Sequence, residues 1–157
     1  METVTGSESI IEKGGLMMQN VNGKNRHGHT PLMDAAKSGD IESVRDLIRR
    51  GADLEAKSDK GKTALHYASA NGQVEIVNLL LEQNAVVDAR DKDWHTPLML
   101  ASIYGCNHTV LSLVNHGADV NAKTLVGNTA LIYAENNNHP LTLALLKKAQ
   151  RAKEASA

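Results

Sequence analysis

The sequence predicts an all-α fold: a solenoid of four helix pairs, with short β-hairpin fingers between them. Three observations lead there. The segments GHTPLMDAAKSGD, GKTALHYASANGQ, WHTPLMLASIYGC and GNTALIYAENNNH begin at Gly28, Gly61, Trp94 and Gly127, three equal intervals of 33 residues. A fixed period of that length is the mark of stacked repeats. Inside every copy the same helix start and stop signals recur, and between copies lie segments such as GADLEAKSDKG that mix a short alternating stretch with charged turn residues. Such segments should project as extended fingers.

Each copy opens with a threonine, Thr30, Thr63, Thr96 or Thr129, whose hydroxyl can cap free amides at a helix start. Pro31 and Pro97 follow where a first-turn proline costs nothing. The leucine and alanine series, Leu32 with Ala35 and its equivalents, recur three apart and define one buried face, with the small alanines permitting close packing. Gly39, Gly72 and Gly105 then end the first helix with a left-handed residue, and Asn138 fills that place in the last copy. A second helix follows on apolar pairs such as Val44 with Leu47 and Val77 with Leu80, closing at Gly51, Asn84 and Gly117. Pro140 falls in the first turn of the last such helix, where it is tolerated.

With 157 residues the chain makes one domain, and with no phenylalanine and 3% aromatic residues its core must be aliphatic. A net charge of -1 supplies no overall field for nucleic acid or an anionic membrane. Cys106 is the only cysteine, which suits a reducing compartment, so a cytoplasmic or nucleocytoplasmic location is expected. No apolar run approaches the roughly 20 residues of a membrane span.

Through T-P-L at Thr30 to Leu32, T-A-L at Thr63 to Leu65 and G-A-D-V-N-A at Gly117 to Ala122, residues 25 to about 149 resemble the ankyrin repeat family. The resemblance implies a curved stack with repeats at about 25–57, 58–90, 91–123 and 124–149 and a polar helix end to residue 157. MQNVNGKNRHG, residues 18–28, aligns with the finger one period later and implies a partial finger ahead of the first repeat, so residues 1–24 are read as an arm and that finger. It also implies a non-enzymatic protein-binding module, monomeric when free, with an inhibitor or immunity-type partner of a specific enzyme as the alternative. Family members bind through finger tips and the exposed side of the first helices. On this sequence those positions single out Trp94, His95, Leu100, Ile103, Tyr104 and Tyr133 in an apolar half, and His29, Lys60 and Lys62 in a polar, mildly basic half. Asn121, eight residues after Leu113, resembles ankyrin asparagines that dioxygenases hydroxylate, although tying its own finger together is the plainer role.

Other chemistry finds little support. His29 and His95 lie two repeats apart, about 20 Å at the spacing of packed helices, too far to share a metal. Neither Cys-x-x-Cys nor His-Glu-x-x-His occurs. No metal, cofactor or catalytic residue is therefore expected. His66, in the place of the family's T-P-L-H histidine, should bond within its repeat and to its neighbour. Cys106 reads as a packing residue rather than a nucleophile, for want of a base with an orienting group. Trp94 stands where the other repeats have glycine, so its turn must be either strained or reshaped.

Overall fold

The computed structural model describes residues 20–157; the arm expected over residues 1–17 lies outside them. Four helix pairs follow in order: α1 (Pro31–Ser38) with α2 (Ile41–Arg49), α3 (Ala64–Ala70) with α4 (Val74–Glu82), α5 (Pro97–Ile103) with α6 (Asn107–Asn115), and α7 (Ala130–Asn136) with α8 (Pro140–Ala155). The first helix of each pair forms an inner row, α1 on α3 on α5 on α7, and the second an outer row. The inner row is the tighter one; α2 touches α4 far less than α1 touches α3. Small residues permit that closeness, since Ala35, Ala68, Ala101 and Ala134, at equivalent positions of the inner helices, are all buried.

The helix signals work as their chemistry predicts. The hydroxyls of Thr30, Thr96 and Thr129 each accept from the amide three residues on, at 3.3 Å. All three prolines occupy a helix's first turn. Gly39, Gly72, Gly105 and Asn138 have φ of 84°, 67°, 65° and 58°, which turns the chain from inner to outer helix without a linker. The core is aliphatic, built on Leu32, Leu65, Leu98 and their partners Val44, Val77, Leu80, Val110, Leu113 and Leu146.

The fingers are present, but no strand forms along them among the described residues. Each tip is instead a closed turn, with the amides of Asn25, Ser58, Asp91 and Thr124 donating to the carbonyls of His29, Lys62, His95 and Asn128 at 2.9 to 3.1 Å. Single cross-links join successive tips, Lys92 N–H to Lys60 carbonyl and Leu125 N–H to Asp93 carbonyl, both 3.2 Å. One bond per finger is too few for a ladder, so the fingers stack as turns and not as hairpins. The finger ahead of the first repeat is tied in like the others, Asn22 Oδ1 accepting from the Asp53 amide at 2.7 Å. Helix α8 runs on to Ala155, well beyond its counterparts, and its Gln150 and Lys153 bond Asn121 and Asp119 at 3.0 Å. The polar helix end thus covers the side of the last finger.

Candidate functional site

Finger turns are held by one side chain each. Asn25, Ser58, Asp91 and Thr124 are equivalent positions, and each places an oxygen on an amide of its own turn. Asn25 accepts from His27 and His29, Ser58 from Lys62, Asp91 from Asp93 and His95, and Thr124 from Asn128. Short side chains with an oxygen near the backbone are the ones that can close such a turn. Only Asp91 does so with a charge.

That charge changes the middle of the stack. The Asp91 carboxylate is buried and its second oxygen bonds the Lys62 ammonium of the preceding repeat. Burial works to raise its pKa, but the Lys62 hydrogen bond and the His95 amide outweigh this and hold it below the usual carboxylate value. Directly beneath, His66 is buried; its Nδ1 accepts from the Thr63 amide at 3.1 Å, so Nε2 carries the proton and donates to the His95 carbonyl at 3.0 Å. Desolvation pushes His66 down to about 4, leaving it neutral at physiological pH. It is a clamp between repeats two and three, in the manner its position led one to expect.

The flanking interfaces use a different pair. His29 Nε2 meets the Tyr67 hydroxyl at 2.9 Å and His95 Nε2 meets Tyr133 at 3.0 Å, the same separation one repeat on. His29 is held from behind by Asp34 at 2.9 Å, His95 by Asp91 at 3.3 Å. In the central interface Lys62 stands in the histidine's place and Leu100 in the tyrosine's. Leu100 is therefore not an exposed contact residue: only 7% of its surface is accessible, because an aliphatic chain in that slot has no hydroxyl to present and packs inward. His29, Lys62, His95 and Tyr133 are partly exposed and already bonded across repeats, so they support the surface more than they project from it. Ile103 is likewise half-buried, whereas Lys60 is free in solvent.

Trp94 and Tyr104 differ from all of these. Trp94 takes φ of +67°, alongside +71°, +76° and +86° at Gly28, Gly61 and Gly127. The turn is strained, not reshaped. The indole remains 45% exposed, with the Arg90 guanidinium 4.7 Å over its ring. In the preceding two fingers the equivalent lysine crosses to the next repeat, Lys24 Nζ to the Lys57 carbonyl and Lys57 Nζ to the Arg90 carbonyl, at 2.7 and 2.8 Å; Arg90 stacks on Trp94. Tyr104 ends α5 where Asn71 and Asn137 cap their helices by donating to a carbonyl at 2.8 Å. A phenol cannot reach back that way, and Tyr104 is 61% exposed. Beyond the tryptophan lie Leu125 and Val126 at the last finger tip, 59% and 81% exposed.

Catalytic chemistry gains little from the fold. Burial pushes the Cys106 thiol up, and its hydrogen-bonding neighbours are the carbonyls of Ala70 and Tyr104, which do not activate a nucleophile. Asp91, Asp93 and His95 do bring one ligand atom each within 4.8 Å of the others, a grouping the linear spacing did not suggest. Both Asp91 oxygens, however, are occupied by Lys62 and by turn amides. The Asn121 side chain accepts from Gln150 of α8 rather than bonding the backbone of its own finger. No helix among the described residues is long and apolar enough to cross a membrane.

The molecule is thus a helix-pair repeat solenoid that presents a ridge of finger tips and a row of inner helices. A family model described as Ankyrin repeats (3 copies) matches residues 10–91, 32–124 and 87–155, and the chain belongs to the ankyrin repeat family. Ankyrin repeats are, as a class, protein-protein interaction modules. No curated protein matches the sequence.

Proposed function

We propose that this is a non-enzymatic binding protein that takes hold of a partner protein through the third and fourth repeats, with Trp94 and Tyr104 as its anchors. One observation carries the reading. Trp94 holds a backbone conformation that costs a residue with a side chain about 1–2 kcal/mol, in a turn where three sister repeats use glycine. The ring's partial exposure means packing on its own stack does not use all of it, and aromatic side chains are the ones that dominate binding hot spots. Tyr104 agrees, since it gives up a helix cap its sister repeats keep. Leu125, Val126 and the half-exposed Ile103 and Tyr133 complete an apolar surface.

The test is affinity capture with the wild type and with a Trp94→Gly, Tyr104→Asn double variant, in which position 94 receives the glycine of all three sister repeats and position 104 the asparagine of two of them, so that the fold is kept. A partner held by the wild type and lost from the variant is the expected result. Equal capture by both would overturn the assignment of the anchors.

A further inference from the structure

Charge is not spread evenly over this molecule. Residues 24–29, 57–62, 90–95 and 123–128, the four finger tips, contain eight lysines and arginines against three aspartates, while the whole chain has a net charge of -1. The last three tips are joined side by side through the Lys92–Lys60 and Asp93–Leu125 backbone bonds, and the first is tied to the second by the Lys24 ammonium on the Lys57 carbonyl, so these charges lie along one ridge. Among the described residues, Lys62 is the only one of the eight in an ion pair within 4 Å; Lys24 and Lys57 lie on carbonyls, which leaves their charge uncompensated. The ridge also has a direction. Its first tip carries Arg26 and His27, the next two alternate as Asp59, Lys60 and Lys92, Asp93, and the last presents Leu125 and Val126 at its apex, with Lys123 at its base.

From this distribution we infer that the ridge receives an extended polypeptide segment with acidic residues at one end and apolar residues at the other. The inference rests on the protein-binding reading above and names the chemistry of the partner. Acidic side chains would meet Arg26 and Lys60, and the apolar end would meet Trp94, Leu125 and Val126. Nucleic acid is the other polyanion such a ridge could attract, but Asp59 and Asp93 stand within the ridge and repel a continuous phosphate chain, and the aliphatic apex at Leu125 and Val126 gives it nothing to bond. Tips spaced like packed helices, roughly 8–10 Å apart, correspond to about three residues of extended chain each at roughly 3.3 Å per residue. Spanning the four tips therefore takes about ten residues.

Selection from a displayed library of random twelve-residue peptides on the full chain tests this, followed by fluorescence anisotropy of the selected peptides and of a single-stranded oligothymidylate of matched charge. The expected winners combine an acidic cluster and an apolar cluster several residues apart, bind at least tenfold more tightly than the oligonucleotide, and weaken as salt is raised. Lys60→Glu should weaken them at low salt, and a Leu125→Ser, Val126→Ser variant at every salt concentration; all three positions are exposed, so folding is checked simply by circular dichroism. Basic or neutral winners, an oligonucleotide that binds more tightly, failure to select any peptide, or indifference to both variants would each overturn the inference. Peptides that respond to these variants but not to Trp94→Gly, Tyr104→Asn would leave the ridge standing and remove the proposed anchors.

Discussion

The central interface and the two that flank it solve one geometric problem with different chemistry. Between repeats one and two, and again between three and four, a histidine at the finger base meets a tyrosine hydroxyl of the next repeat. Between repeats two and three the same positions hold Lys62 and Leu100, and the link passes to a buried carboxylate, Asp91, with the neutral His66 beneath it. Single hydrogen bonds at partly exposed side chains can be lost one at a time at modest cost. A buried charge pair cannot, because removing one member strands the other. The middle of this solenoid should therefore be the part least tolerant of losing one partner, and the flanks the more tolerant.

The largest expected effect is at His66. Below pH 6.5 an unfolded chain takes up a proton that the folded histidine accepts only near pH 4. Stability is therefore lost as pH falls through that window, by about 3 kcal/mol at its lower end. Urea titrations of the wild type and of His66→Met, the residue found in two sister repeats, measure this, and a wild-type profile as flat as the variant's would remove the clamp. Next comes Asp91→Ala, which removes the Lys62 pair and the acceptor of the Asp93 and His95 amides; about 2–3 kcal/mol should be lost at pH 7. Since the folded Asp91 pKa is lowered, its contribution is present above the ordinary carboxylate pKa and lost as pH falls through the folded value. A double-mutant cycle with Lys62→Met isolates the pair, and a coupling near zero would make the central interface no different from the flanks.

On the flanks, Tyr133→Phe removes one bond and should cost about 1 kcal/mol. Tyr67→Phe removes contacts to both His29 and Ser58 and should cost somewhat more. Thermal melts rank the two, and a reversed order would show that hydrogen bonding does not set the strength of these interfaces. The smallest effect concerns Trp94. Trp94→Ala keeps the strained φ but loses the Arg90 contact, so it should destabilise by about 1 kcal/mol. Trp94→Gly loses the same contact and releases the strain, and should stay within about 0.5 kcal/mol of the wild type. An alanine variant more stable than the glycine one contradicts a turn built like those of the sister repeats.

Much of the helical frame was legible because each helix end depends on local chemistry: a threonine hydroxyl, a first-turn proline, a left-handed glycine or asparagine. At Trp94 alignment of the chain with itself left two options, a strained turn or a reshaped one, and the φ of +67° selects the first. The site was less legible. The register of Leu100 on α5 predicts an exposed residue, yet its side chain is buried. Asp91 attracted no notice because one aspartate in a turn looks like any other, although an oxygen-bearing residue at all four equivalent positions was a signal that could have been read.

What the sequence determined by itself was the repeat, its helix boundaries and the aliphatic face, since these are properties of periods of three to four residues and of backbone dihedrals that a residue and its neighbours control. What only the tertiary structure decided was which side chains meet across repeats: Lys62 with Asp91, His66 with the His95 carbonyl, Arg90 with Trp94. Lys62–Asp91 and His66–His95 are 29 residues apart in the chain, and only the spacing and rotation of stacked helix pairs brings such groups within bonding distance. Arg90 and Trp94 are close in sequence, and the ring and the guanidinium meet across a turn in which Trp94 is left-handed. The direction of the finger ridge, basic at one end and apolar at the other, is of the same kind: its residues are readable in the sequence, but only stacking makes them one surface.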